Sequence, residues 1–222
     1  MHCAPSDPNT ESPPPGPSCR RSKRAADIVL AGLLGVAALP LILISAVLVR
    51  LSSPGPVVYR AQRLGHNLRP FCIRKFRTMV ENGDEVLEQH LAEHPGKRLE
   101  WQSRFKLRHD PRVTRIGRFL RMTSLDELPQ LWNVLRGDMS LVGPRPIIEA
   151  ELSLYGSDRA EWVFSRAKPG ITGLWQVSGR SSATYRERVE MDVEYVRRWR
   201  LLLDLKILVR TVVTVLLCRG AY

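Results

Sequence analysis

The stretch TSLDELPQLWNVLRGDMSLVGPRP, residues 123–146, places two adjacent carboxylates, Asp126 and Glu127, among basic side chains. Four arginines flank the pair, two on each side: Arg118, Arg121, Arg136 and Arg145. Because guanidinium groups bind phosphate oxygens, acids among so many arginines indicate a site that handles phosphate, with or without a metal ion. Ser124, followed three residues later by Glu127, is typical of a capping box. The pattern therefore predicts both acids in the first turn of a helix that continues through Leu135.

The pair Asp126 and Glu127 has two explanations at this level. Helix N-termini carry free N–H groups and a positive partial charge, so the two acids could serve only to cap a helix. Arg145 favours a binding site instead, because it stands between Pro144 and Pro146, whose restricted φ limits the backbone around it. A guanidinium held in this way loses little rotational freedom on binding phosphate, so we count Arg145 as a candidate phosphate-binding residue.

Further candidates lie outside this stretch. The segment KFRTM, residues 75–79, puts Lys75 and Arg77 next to the end of a predicted strand, and both are candidate phosphate-binding residues. The loop KPGITG and the Trp175-Gln176 pair that follows it are weaker candidates for contact with a substrate. A position in the core explains Trp175 equally well.

The composition is that of a folded, strongly basic protein. With 222 residues, 44% of them hydrophobic, the chain is long enough for one core of ordinary size and an appendage. Its formal net charge of +12 favours an anionic partner, which charge alone leaves open among nucleic acid, anionic lipid and a phosphorylated substrate. The four cysteines form no CxxC pair and have no zinc-ligand spacing with histidine, so we expect reduced thiols.

The N-terminal part divides into a tail and an apolar helix. Residues 1–22 are rich in Pro and Ser, and we expect them to be disordered. Residues 28–49 carry no charge, and at about 1.5 Å per residue a helix of this length reaches across the hydrocarbon core of a bilayer. Basic residues on both flanks favour a helix that enters and returns, bent at Pro40, because Lys and Arg prefer the cytoplasmic face. Composition alone leaves a straight span open, and in either case residues 23–51 form the membrane-inserted segment.

The remainder, residues 52–222, is predicted to be a small α+β domain that is mostly helical. Two short strands, residues 57–60 and 71–76, are joined by a polar turn that contains glycine. The other predicted elements are a loop and four helices: residues 169–173 for the loop, and 81–93, 113–122, 149–164 and 185–217 for the helices. The second of these helices is basic and amphipathic, which fits an anionic membrane surface or a solvated face over a core stripe. The apolar end of the last helix packs on the core or lies in the membrane interface.

Six segments and the final GAY carry a resemblance to a known family: SSPGPVVYRAQRLG, KFRTM, DPRVTRIGRFLR, SLDELPQLWNVLRGDMSLVGPRP, KPGITGLWQVSGR and DLKILVRT. On these segments the chain resembles the bacterial sugar transferase family, the monotopic polyprenyl-phosphate phosphoglycosyl transferases, in their minimal form. The resemblance covers residues 23–222, nearly everything but the tail. The central segment is too long and distinctive for a chance agreement.

The resemblance implies an enzyme with an Asp-Glu catalytic dyad, here Asp126 and Glu127. Family members transfer a sugar phosphate from a nucleoside-diphosphate sugar to polyprenyl (undecaprenyl) phosphate, which starts glycan or exopolysaccharide assembly. The aspartate is the nucleophile, a covalent phosphosugar-aspartate forms, and UMP leaves when the donor is a UDP-sugar. The family uses Mg²⁺ at the dyad, so Asp126 is expected to contact the metal. Arg121 and Arg145 correspond to family arginines placed around the phosphates.

The resemblance also implies a location and a set of partners. The family's N-terminal helix is re-entrant, bent at a proline, and keeps both ends in the cytoplasm. The catalytic domain then faces the cytoplasm at the bacterial inner (cytoplasmic) membrane. Some members have Ser immediately before the proline where this chain has Leu39, so the bend angle stays open. The implied partners are the nucleotide-sugar donor, the polyprenyl phosphate acceptor and the membrane, with no nucleic acid. A homodimer is allowed, although no feature demands it.

The alternative class is a non-catalytic, membrane-anchored protein that binds anions or nucleic acid. The net charge and the Arg-rich segments motivate this alternative. Against it, the chain has no recognisable helix-turn-helix, zinc-finger or RNP-like aromatic pattern.

Overall fold

The structure, a computed structural model, describes residues 16–17, 20–94, 96–98, 101, 107, 109–178 and 184–216. The predicted tail lies largely outside these residues. The described part is mostly helical, with α-helices α1 (Arg21–Ala37), α2 (Leu39–Ser52), α3 (Gly83–Glu93), α4 (Arg115–Met122), α5 (Gln130–Arg136), α6 (Leu152–Tyr155), α7 (Ser157–Arg166), α8 (Leu174–Ser178), α9 (Tyr185–Arg197) and α10 (Leu201–Leu216). The strands are β1 (Val58–Leu64), β2 (Pro70–Phe76), β3 (Ser140–Val142) and β4 (Gly170–Thr172). The predicted mostly helical α+β class is thus confirmed.

The apolar N-terminal segment is two helices rather than one. α1 and α2 meet at Ala38 with a bend of 62°, and Pro40 lies in the first turn of α2, where its missing N–H costs no helical hydrogen bond. None of the described helices is long and apolar enough to cross a bilayer alone, whereas this bent pair has the length and composition together. Large apolar side chains such as Leu33 and Val36 are exposed along it. The segment is therefore bent rather than straight, and its length and composition fit a broken span as well as a re-entrant loop.

Two small sheets complete the fold. β1 and β2 form an antiparallel ribbon whose register runs from Val58 opposite Phe76 to Leu64 opposite Pro70. β1 is longer than predicted because this pairing continues to the turn. β3 and β4 pair in parallel, which corrects the prediction of a loop over residues 169–173. The two strands approach so closely that a side chain on Gly170 would collide with the backbone of Gly143.

Two predicted helices are interrupted. Residues 149–164 contain a 3₁₀ turn, α6 and α7, because Gly156 adopts φ 84°, a conformation that glycine tolerates and a helix excludes. Residues 185–217 divide into α9 and α10, with residues 198–200 between them. On α10, Ile207 is buried while Leu202, Leu205 and Val209 are exposed. The helix therefore packs on the core by one face and presents an apolar face outward.

A buried polar network joins α1 to the C-terminal helix, and we call it the Lys23 network. The Nζ of Lys23 lies 2.7 Å from Oδ2 of Asp204 and 3.8 Å from Oδ1 of Asp27. Asp204 also accepts hydrogen bonds from the hydroxyl of Tyr195 at 2.9 Å and from Nε1 of Trp199 at 3.0 Å. Asp27 accepts from the hydroxyl of Ser140 and from the amide of Leu141, both at 3.1 Å. The network fixes the start of α1 against β3 and α10.

Candidate active site

The Asp126-Glu127 pair lies on a 3₁₀ turn, Leu125–Glu127, that precedes α5. Ser124 adopts φ 58° and its side chain makes no capping bond, so the predicted capping box is wrong. α5 begins after this turn, with Pro129 rather than Ser124 as its N-cap. The side chain of Glu127 is therefore released from the helix end and reaches across to the β-ribbon.

The partner of Glu127 is Lys75, near the end of β2. The Nζ of Lys75 donates to Oε1 of Glu127 at 2.6 Å, and the side-chain amide of Gln130 also bonds to this carboxylate. Burial raises the pKa of Glu127, but the charges of Lys75 and Arg145 and these hydrogen bonds outweigh burial and lower the pKa overall. Glu127 is thus held ionised and fixed in position.

One asparagine fastens the dyad turn to the strand that carries Lys75. Asn133, buried in α5, donates from Nδ2 to the carbonyl of Cys72 at 2.8 Å and accepts from the amide of Arg74 at 3.2 Å. Both bonds are made to the backbone of β2, on residues just before Lys75. The separation of Lys75 and Glu127 therefore follows from backbone contacts and not only from their own attraction.

Asp126 differs from its neighbour because its carboxylate has no side-chain hydrogen-bond partner within the described residues. Its side chain is 8% exposed, and the hydrogen bond that it accepts comes from its own backbone amide. Burial and the adjacent charge of Glu127 raise the pKa of Asp126 to about 6, against the opposing charges of Lys75 and Arg121. The result is a buried carboxylate that ionises only near neutral pH and is not occupied by other side chains.

Arg121, at the end of α4, faces Asp126. Its Nε donates to the hydroxyl of Thr78 at 2.8 Å, which orients the guanidinium, and its charge lowers the pKa of Asp126. Burial lowers the pKa of Arg121 itself, but the charges of Asp126 and Asp110 oppose that effect. Sequence inspection missed Thr78, although it stands in the KFRTM segment that was singled out.

Arg145 lies in the loop between β3 and the 3₁₀ turn that precedes α6. Its side chain is exposed while Pro144 and Pro146 are buried, so the loop is fixed and the guanidinium is free to face a ligand. Its charge lowers the pKa of Glu127. Arg188, a second residue that sequence inspection missed, donates to the carbonyl of Arg145 at 3.5 Å.

Two sequence candidates lie away from this cluster. Arg77 is buried and its Nη2 donates to the carbonyl of Ser53 at 2.6 Å, at the end of α2 rather than at the dyad. Trp175 packs its ring against the guanidinium of Arg188, at 5.2 Å from the ring centroid. Lys75, Arg121 and Arg145 therefore act on the dyad by contact or by charge, whereas Arg77 binds the end of α2.

The donor set suits a metal held jointly with a substrate. Among the described residues there is no group of three or more His, Cys, Asp or Glu side chains that could hold a metal ion by itself. Mg²⁺ commonly takes one or two carboxylates and completes its shell with water and substrate phosphate oxygens. Asp126, whose carboxylate has no side-chain partner, and Glu127 beside it fit that pattern.

A family model described as bacterial sugar transferase matches residues 18–218. The chain belongs to the bacterial sugar transferase family. This confirms the resemblance described above and identifies the chain as an enzyme, which excludes the non-catalytic alternative. In this sugar transferase, Lys75 binds Glu127 directly, and the charges of Arg121 and Arg145 act on Asp126 and Glu127 respectively.

The curated relatives agree with this assignment. The exopolysaccharide production protein ExoY of Sinorhizobium fredii is 49% identical over 201 residues, which cover 90% of this chain and 88% of that protein. The undecaprenyl-phosphate galactose phosphotransferase of Salmonella typhimurium is 49% identical, over 92% of this chain but 42% of its own length. The UDP-glucose:undecaprenyl-phosphate glucose-1-phosphate transferase of Caulobacter vibrioides is 43% identical, over 90% of this chain and 72% of its own length.

Proposed function

We propose that this sugar transferase moves a sugar phosphate from a UDP-sugar to polyprenyl phosphate in two steps, through a phosphosugar bound covalently to Asp126. Relatives similar over nine-tenths of the chain are named as transferases of galactose phosphate or glucose-1-phosphate to undecaprenyl phosphate, which supports the overall reaction. The observation that carries the two-step route is the Asp126 carboxylate, which is buried, has no side-chain partner and lies beside cations.

In the first step, an oxygen of Asp126 attacks the phosphorus that bears the sugar. The bond to the bridging oxygen of the diphosphate breaks, and UMP leaves with that oxygen and its electron pair. In the second step, an oxygen of polyprenyl phosphate attacks the same phosphorus, and the bond to Asp126 breaks to restore the carboxylate. In a direct transfer, the acceptor phosphate would attack the anionic donor in a single displacement. When the reaction is divided into two displacements, the same cations offset the negative charge in each of them.

The surrounding residues have distinct parts in this route. Arg121, whose charge acts on Asp126, and Arg145, whose charge acts on Glu127, bind the phosphate oxygens and offset their charge. Glu127, held ionised by Lys75, orients the site and takes part in metal binding with Asp126. A bound Mg²⁺ would supply charge neutralisation between the carboxylate and the diphosphate.

We further propose that the enzyme works at the bacterial cytoplasmic membrane with its catalytic domain in the cytoplasm. The bent α1–α2 pair has the length and composition of a re-entrant segment, and its apolar side chains are exposed. Basic residues flank it at both ends, which supports two cytoplasmic ends. The acceptor, whose chain lies in the bilayer, would then reach the dyad from the membrane side.

The purified protein in detergent, given Mg²⁺, undecaprenyl phosphate and a panel of UDP-sugars, tests the proposal by release of UMP. With a donor but no acceptor, we expect a stoichiometric burst of UMP and an intact mass increased by one sugar phosphate. Asp158→Asn, at an exposed carboxylate on α7, is the matched control for Asp126→Asn. Turnover without a burst or adduct would favour direct transfer, and no turnover with any donor would refute the whole proposal.

A further inference from the structure

The guanidinium of Arg77 binds the backbone at the C-terminal end of α2, the second helix of the proposed membrane segment. Ser53 is the C-cap of α2, and its carbonyl accepts from Nη2 of Arg77 at 2.6 Å. The last carbonyls of a helix lack intrahelical partners and carry negative partial charge, so a cation stabilises them. Arg77 is 7% exposed, and its Nε and Nη1 are buried without a hydrogen-bond partner. A buried cation with one partner is costly, so the surrounding fold must hold it there.

The backbone of Gly55 also packs closely against the guanidinium of Arg77. It adopts φ 103°, and a Cβ at this position would collide with Nη1 of Arg77. The turn that leaves α2 therefore folds directly over the guanidinium. The backbone amide of Arg77 also donates to the carbonyl of Val57 at 2.9 Å, which ties the same turn to the end of β2. Residues 53–57 and Arg77 thus form one joint, which we call the exit joint of α2.

An apolar cluster seals the exit joint against α2. Val49, in the last turns of α2, packs with Phe76, the residue before Arg77, and with Leu120 of α4. All three side chains are buried, with exposures of 3% or less. The contact fixes how far α2 lies from the strand, while Arg77 fixes where α2 ends along it.

Four consecutive residues connect this joint to the chemistry. Lys75 binds Glu127 at 2.6 Å, Arg77 binds Ser53, and Thr78 accepts from Arg121 at 2.8 Å. Residues 75–78 therefore hold the dyad, an active-site arginine and the end of the membrane segment in one rigid piece. A shift of α2 relative to β2 would change the distance between the bilayer and the dyad.

We propose that Arg77 is a positioning residue that sets the height of the Asp126-Glu127 pair relative to the membrane, so that the phosphate of a membrane-borne acceptor reaches it. In this proposal Arg77 acts through its hydrogen bond to Ser53, a role different from the phosphate binding predicted from the sequence. This inference rests on the proposed function, since it concerns access of the lipid acceptor to the same dyad.

The test compares two acceptors: long-chain polyprenyl phosphate in bilayer nanodiscs, and a short-chain polyprenyl phosphate soluble in dilute detergent. For Arg77→Met we expect kcat/KM for the bilayer acceptor to fall at least about tenfold, because misplacement of about 1 Å is expensive in a positioned reaction. The KM for the nucleotide-sugar donor and kcat/KM for the soluble acceptor should stay within about twofold, since neither depends on height above a bilayer. Arg186→Met, at an exposed arginine of α9 paired with Glu190, is the matched control and should leave all values unchanged.

Two more variants protect the test from a folding failure. Arg77→Lys keeps a cation at Ser53 and should recover most of the bilayer activity, whereas Gly55→Ala disturbs the joint from the opposite side and should reproduce Arg77→Met. An equal loss with both acceptors, or no loss with either, would overturn the inference. Hydrogen exchange gives an independent readout: amides of residues 49–57 should exchange faster in Arg77→Met, while those of residues 130–136 should not. Unchanged exchange in residues 49–57 overturns the inference, whereas a wild-type enzyme inactive with both acceptors refutes the proposed function instead.

Discussion

Two buried aspartates, Asp126 and Asp204, have opposite surroundings. Asp204 is 5% exposed and accepts three hydrogen bonds, from Lys23, Tyr195 and Trp199. Asp126 is 8% exposed and is bonded only by its own amide within the described chain. Burial without partners disfavours the ionised form and raises the pKa of Asp126 to about 6.

The difference separates a structural carboxylate from a reactive one. A buried charge whose lone pairs are all satisfied holds elements together and is closed to ligands. A buried carboxylate that lacks partners destabilises the fold and is open to a phosphorus atom or a metal ion. Buried polar groups that lack hydrogen-bond partners are expected at functional sites, and the carboxylate of Asp126 is such a group.

The largest effect on activity is expected at Asp126, the aspartate without side-chain hydrogen-bond partners. Asp126→Asn removes the nucleophilic oxygen charge while it keeps the shape, so turnover should fall at least about a thousandfold. UMP release at saturating donor and acceptor measures the loss. Asp158→Asn should turn over like the wild type, and Asp126→Asn activity above one-tenth of wild type would contradict the nucleophile assignment.

Loss of a partner of Asp204, the fully hydrogen-bonded aspartate, should instead lower the stability of the fold. Lys23→Met leaves Asp204 and Asp27 buried without their cation, which should lower the free energy of unfolding by about 3–5 kcal/mol. Chemical denaturation in detergent measures the change. The exposed pair Arg198–Glu194 supplies the comparison, because Arg198→Met should cost about 0.5 kcal/mol or less. Equal costs for the two variants would mean that the Lys23 network is not structural.

Asp126→Asn should also stabilise the fold near neutral pH. The folded pKa of about 6 lies above the ordinary value of 3.8, so between these values the folded state keeps a proton that the unfolded state has lost. Ionisation therefore costs stability progressively as pH rises from about 4 to 6, and by the full amount above that range. An asparagine avoids this cost, so the variant should gain about 2–3 kcal/mol at pH 7.5 and nothing below about pH 4. A gain that does not vary with pH would place its origin elsewhere.

The smallest expected effect is a shift in the pH profile. In the wild type, kcat/KM for the donor should rise with pH through about 6, as Asp126 ionises, and then level off. Lys75 lowers the pKa of both Asp126 and Glu127, so Lys75→Met should move this acidic limb to higher pH. Initial rates at subsaturating donor in buffers of constant ionic strength measure the limb, and an unmoved limb would show that Lys75 does not act on the ionisation of Asp126.

Much of the site could be predicted because it lies in continuous segments. Asp126, Glu127 and Arg145 share one stretch, and the structure brings Lys75 and Arg121 to them. The contact between Arg77 and Ser53 could not be predicted, because β2 ends at Phe76 and the residue after a strand end does not follow the alternation of faces. The capping box failed because the left-handed conformation of Ser124 has no signal in the residue type.

The fold was predictable where periodicity is local. The β-ribbon and α3 follow from short-range patterns, whereas the parallel pair of β3 and β4 joins three-residue strands from distant parts of the chain. Gly156 ends α6, but the sequence alone does not predict whether an isolated glycine in a helical pattern breaks the helix. Tertiary contacts decide such cases.

The bent pair of α1 and α2 is fastened to the rest of the fold at both of its ends. Near its start, Arg24 donates to the carbonyls of Val134 and Leu135 at 2.5 and 2.8 Å, and at its finish Arg77 holds Ser53. Because both ends of the pair are tied down, a displacement of the pair is passed to α5 and β2 together, the two elements that carry Asn133 and Lys75. The proposed membrane insertion would therefore make the geometry of the dyad sensitive to the thickness of the surrounding bilayer.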